Sequence, residues 1–61
     1  MKFIELTYYE FGQNILINID EIAYILDDGE YRIIQTKHTG CIKVIETYEQ
    51  ILKEIQTYDE T

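Results

Sequence analysis

The chain has no proline, three glycines and a single cysteine. With 46% hydrophobic and 28% charged residues, this is the composition of a folded globule rather than a disordered segment. One cysteine rules out an intramolecular disulfide, and a structural zinc site lacks its ligands. Basic residues are equally scarce, five against twelve acidic ones, for a formal charge of −7. Nucleic-acid binding rests on lysine and arginine neutralising phosphate, so this balance argues against it and favours basic partners. Long apolar runs are missing too. Met1-Lys2-Phe3-Ile4-Glu5 has no signal-peptide core, and no segment reaches membrane-spanning length. The expectation is a cytoplasmic protein without a membrane anchor.

Sixty-one residues fit one domain, 1–61, near the lower size at which a hydrophobic core alone sustains a fold. No disulfide or metal staple is legible. Self-association is therefore the expected reinforcement, with a homodimer or a protein partner as the occupant.

The clearest helical pattern is at the C-terminal end. Tyr48, Ile51, Leu52 and Ile55 fall at i, i+3, i+4 and i+7, and Tyr58 extends the stripe. Thr47 and Gln50 have the spacing of a capping box, which predicts a helix over 47–58 with Tyr48, Ile51, Leu52 and Ile55 as its core stripe. Upstream, the pattern is of strands and turns. Residues 2–9 and 14–19 alternate around a Phe11-Gly12 turn. A helical turn is expected near 18–22, capped by Asn18 or Asp20. Strands at 23–26, 31–36 and 41–45 are separated by Asp28-Gly29 and Thr39-Gly40. The expected fold is α+β: a small five-stranded, mostly antiparallel sheet, a meander in its second part, with one C-terminal helix packed on one face.

One short helix covers little of such a sheet, yet several strands carry apolar residues on both faces. The surplus reads as a protein-interaction surface, with Leu16, Tyr24, Tyr31 and Ile34 as candidate contact residues. The bland alternative is a strongly curled sheet that buries both sets.

Chemistry-bearing clusters are few. His38 and Cys41 lie near one hairpin turn without a third, orienting group, and a strand cysteine ordinarily behaves as a small hydrophobe. Asp27, Asp28 and Glu30 surround Gly29 but lack the donor spacing of a calcium loop, and Asp and Gly favour turns for backbone reasons. No catalytic, cofactor-binding or metal-binding residue is assigned, and an enzyme is not expected. Tyrosines on an open sheet can stack bases, but the positive groove such platforms need has too few basic residues to form here. Tyrosine's strand propensity and its enrichment in protein interfaces fit better.

Three stretches carry a family likeness: Ile4-Glu5-Leu6-Thr7, then Ile15-Leu16-Ile17-Asn18-Ile19-Asp20-Glu21-Ile22, and Val44-Ile45-Glu46-Thr47-Tyr48-Glu49-Gln50-Ile51. In them the chain resembles the small flagellar and swarming-motility (FlbD-like) proteins of bacteria along nearly its whole length. Phe11-Gly12 and Thr39-Gly40 stand where that family carries Asn-Gly. The stretch from Asn18 to Ile25 also looks like part of the LytTR-type DNA-binding domains, whose basic loops are missing here. The resemblance implies a non-enzymatic regulatory protein that acts through protein contacts. The competing expectations are a phage or mobile-element accessory protein, serving as an acidic inhibitor or nucleic-acid mimic, and a nucleic-acid-binding regulator.

Overall fold

The computed structural model describes residues 2–59; the ends of the expected domain, Met1, Glu60 and Thr61, lie outside the described residues. Five antiparallel strands precede one helix. They are β1 (Phe3–Thr7), β2 (Asn14–Asn18), β3 (Ile22–Asp27), β4 (Arg32–Thr36) and β5 (Cys41–Val44), followed by α1 (Tyr48–Asp59). A single 3₁₀ turn, Ile19–Glu21, links β2 to β3, and the Asn18 side chain caps it by accepting from Asp20 N–H. That choice settles which of the two candidate caps acts.

The strands divide into a hairpin, β1-β2, and a three-stranded meander, β3-β4-β5, where one five-stranded sheet was expected. The two ladders touch at the end of β1, where Tyr8 bridges Val44 in antiparallel fashion. Tyr9 N–H donates to the Lys43 carbonyl at 3.0 Å and Ile45 N–H donates to the Thr7 carbonyl at 3.1 Å. Thr7 also gives both of its donors to one carboxylate: its N–H and hydroxyl reach the two Glu46 oxygens at 2.9 and 2.8 Å. Where a strand leaves one ladder to run beside another, a side chain can take a main-chain donor that the ladder does not serve. Glu46 does this at the seam.

Turn chemistry fixes the meander. Gly29 has φ 88°, a region costly for any residue with a Cβ, and the Asp27 carboxylate accepts from its N–H. At the other hairpin Thr36 is buried. Its hydroxyl donates to the Gly40 carbonyl at 2.7 Å and accepts from Thr39 N–H at 3.0 Å.

The core is one cluster of Ile4, Leu6, Ile17, Ile34, Val44 and Ile51, drawn from both ladders and the helix. Ile15, Ile19, Ile22, Ile25, Ile42 and Ile55 pack around it. In β4 the inward residues are Arg32, Ile34 and Thr36. Ile34, expected on an outer contact face, is therefore corrected: it is fully buried, facing Ile25 and Ile42 across the strands. Adjacent isoleucines at 33 and 34 gave two equivalent phases for a period-2 pattern, and Ile33 is the outward one.

The helix starts as its capping box requires. Thr47 Oγ1 accepts from Gln50 N–H at 3.1 Å, and Gln50 Oε1 accepts from Thr47 N–H at 2.8 Å. Its buried stripe is narrower than expected. Ile51 is fully buried and Ile55 half-buried, whereas Tyr48 and Leu52 remain 44% and 43% exposed. Residues advance roughly 100° each around a helix. The arc facing the strands is centred on Ile51, Ile55 and Tyr58, which leaves Tyr48 and Leu52 on one rim and Glu54 on the other. Tyr58 confirms this orientation by donating its hydroxyl to the Phe3 carbonyl at 2.6 Å.

Candidate interaction surface

With Ile34 and its neighbours turned inward, the other side of β3-β4-β5 is left without a covering element among the described residues. Register defines two rows across it. Leu26 stands opposite Ile33, which stands opposite Lys43; Tyr24 stands opposite Gln35, which stands opposite Cys41. Tyr24 is 52% exposed and Leu26 51%, and Ile33 is half-buried. These rows contain one basic residue and no carboxylate. In a chain of net charge −7, this is a local departure from the acidic average.

Tyr31 adjoins the Leu26 row. The Tyr9 ring packs on it at 4.9 Å between centroids, and Lys43 Nζ sits 4.8 Å from its ring centre. The Tyr9 hydroxyl donates to Glu30 at 2.9 Å, and this bond to a carboxylate raises the phenol's pKa by favouring its protonated form. Tyr31 is raised as well, chiefly through a hydrogen bond to Asp28, with the Lys43 ammonium acting in the opposite sense. The aromatic pair joins the β1 end to the β3-β4 turn and so borders the face.

Leu16 is 67% exposed but lies in the other ladder, opposite Glu5. Of the expected contact residues, then, Tyr24 lies on β3, Tyr31 stands in the turn just before β4, Leu16 is exposed on a separate sheet, and Ile34 belongs to the core.

A shallow cavity of about 320 Å³ opens elsewhere, between Asp27, Arg32 and the helix start at Thr47, Tyr48 and Glu49. Arg32 is nearly buried there. Its Nη1 donates to Asp27 Oδ1 at 3.0 Å and to the Gly29 carbonyl at 3.3 Å, and its Nη2 donates to the Glu30 and Ile45 carbonyls at 3.3 and 3.5 Å. Its Nε has no partner among the described residues. Asp27 Oδ1 takes both the Gly29 amide and Arg32, and these bonds hold the Asp27 carboxyl below its ordinary pKa, the amide contributing most. The arginine thus ties a turn to the β5–α1 junction. Arg32 has no role among the expectations drawn from the sequence. The signal was available: Asp27 and Arg32 flank a tight turn at the spacing of a cross-strand pair.

The remaining polar clusters are engaged at the surface. His38 Nδ1 lies 2.8 Å from Glu21 Oε2, with both side chains largely exposed, while Cys41 is exposed on the outer face. Among the described residues, no three His, Cys, Asp or Glu side chains are arranged to hold a metal ion, and no helix is long and apolar enough to cross a membrane. Comparison with known proteins returns no matching family, no similar curated protein and no similar solved structure.

Proposed function

We propose that the chain is a non-enzymatic protein-interaction module whose contact surface is the outer face of β3-β4-β5. The observation that carries this reading is the exposure of Tyr24 and Leu26, side by side on β3, together with Ile33 on the side of the sheet away from the core. Large apolar side chains grouped on one face, with a tyrosine border and no carboxylate in the rows, have the make-up of an interface centre. The acidic remainder supplies solubility and a rim suited to cationic neighbours. The regulatory setting remains that of the family resemblance, a small bacterial motility protein. The net charge of −7 favours one second reading, an acidic inhibitor or nucleic-acid mimic of phage or mobile-element origin.

Recovery of bound protein from the native host tests the contact surface. Tyr24→Ser with Leu26→Ser should abolish retention, while Tyr48→Ser with Leu52→Ser should preserve it. The reverse pattern would place the contact surface on the helix rim and end this reading.

A further inference from the structure

Strand β3 ends its sheet, with β4 on one side only. Asp28 N–H donates to the Tyr31 carbonyl across the β3-β4 pair, which fixes the phase of that ladder. Antiparallel pairing alternates, so Tyr24 and Leu26 turn their main-chain groups to β4, while Ile25 and Asp27 turn theirs away from it. Among the described residues, no backbone bond outside the ladder serves Ile25 or Asp27. Such a row of donors and acceptors is completed by an extended chain, not by a helix.

Charge is spread unevenly along this edge. Asp20 and Glu21 precede the strand, Asp27, Asp28 and Glu30 close it, and positions 20–30 hold no basic residue. Between the two groups, 22–26 is uncharged. Asp27 is paired with Arg32 and Glu21 with His38; among the described residues, no ion pair serves Asp20, Asp28 or Glu30. Lys37 N–H donates to the Glu21 carbonyl, which brings a cation to the first end. The turn end, where Asp28 and Glu30 are exposed, is therefore the more negative.

We infer that the β3 edge takes an extended segment of a basic partner. The segment sets apolar residues against 22–26 and lysine or arginine where it passes Asp27, Asp28 and Glu30. The inference rests on the reading of the chain as a protein-interaction module and deepens it by naming the partner's chemistry. Charge selects this occupant. The same carboxylates repel a second copy of this chain, itself of net charge −7, and nucleic acid as well. Carboxylates at both ends thus keep like-charged strands off the edge and admit a cationic one. Antiparallel pairing is slightly the more stable per residue, and it sends the N-terminal end of the bound segment past Asp27. The cations therefore precede the apolar run, where they form opposite-charge cross-strand pairs. The residue opposite Ile25 exchanges two main-chain bonds with it, and its neighbours lie beside Tyr24 and Leu26, continuing the rows of the outer face.

A fluorescein-labelled synthetic peptide, a pair of lysines followed by alternating valine and threonine, tests this on the full chain. Its anisotropy should report a dissociation constant on the order of 10–100 µM at low salt, weakening at least about fivefold at high salt. Amide NMR shifts should centre on Ile25 and Asp27. Exchanging the lysines for glutamates, or N-methylating the apolar run, should each weaken binding at least about tenfold; the second change keeps the charge and removes the main-chain donors. Asp28→Asn with Glu30→Gln should weaken it at least about threefold with an unchanged far-ultraviolet spectrum. No binding of the lysine peptide, equal binding of the glutamate or N-methylated peptide, or shifts on β2 in place of β3 would each overturn the inference. No peptide binding, with a host partner still lost on Tyr24→Ser and Leu26→Ser, would defeat the edge and leave the face. Peptide binding at Ile25, with a host partner retained by that double variant, would keep the edge and end the face.

Discussion

Glu46 receives two bonds from Thr7, a residue 39 positions away, and shares its surroundings with Glu5 and Glu54. A charged acceptor serving two donors contributes more than a neutral one, so Glu46→Ala should cost about 2–3 kcal/mol, readable in urea unfolding. Glu54, on the opposite rim of the helix from Leu52, has its pKa raised, first by burial and then by the charges of Glu46 and Glu5. A carboxyl raised in the folded state penalises the fold while ionised, and the penalty disappears as pH falls through its folded value. Glu54→Gln should therefore raise Tm at pH 7 by about 1–3 °C, with the gain vanishing below the ordinary carboxylate range. Asp27 runs oppositely: its lowered pKa gives stability present above the unfolded value and lost on acidification through the folded one. The pairings of Glu46 and Glu54 were not legible beforehand. Sequence separation conceals which carboxylate meets which donor, and only the turn-spanning Asp27–Arg32 pair had a local signature.

Among the elements, each strand, the capped 3₁₀ turn and the helix start follow from local rules: period-2 alternation, Asp-Gly in a turn, and a Thr–Gln box. What local rules left open was orientation. A helical stripe of Tyr48, Ile51, Leu52 and Ile55 admits several rotations, and the seam between the ladders selected the one that buries Ile51. Ile51→Asp should thus abolish the cooperative thermal transition, because it places a charge in the core. Leu52→Asp, one position on, should retain the native circular dichroism spectrum and lose less than about 1 kcal/mol. Equal damage from both would mean that the helix packs in another rotation. The doubled isoleucines of β4 pose the same problem in strand form, since only burial tells Ile33 from Ile34.

For the whole molecule, composition excluded more than it specified. The charge of −7 carries a concrete expectation: no salt-dependent binding to duplex or single-stranded nucleic acid in fluorescence anisotropy at low ionic strength. Binding that weakened steeply with added salt would contradict it. The surplus of apolar strand residues is visible in the chain, and its location is not. Curling of the strands across the Tyr8–Val44 bridge absorbs part of it and leaves Tyr24, Leu26 and Leu16 outside.

The first strand is held by residues from the last third of the chain: Val44 beside Tyr8, Glu46 on Thr7, Ile51 against Ile4 and Leu6, Tyr58 on Phe3. During synthesis, β1 and β2 have none of these partners until β5 and then the helix have left the ribosome, and a lone two-stranded hairpin is marginal in water at best. A nascent chain stalled before Ile51 lacks a core residue that packs with Ile4 and Leu6 and should remain open to proteases.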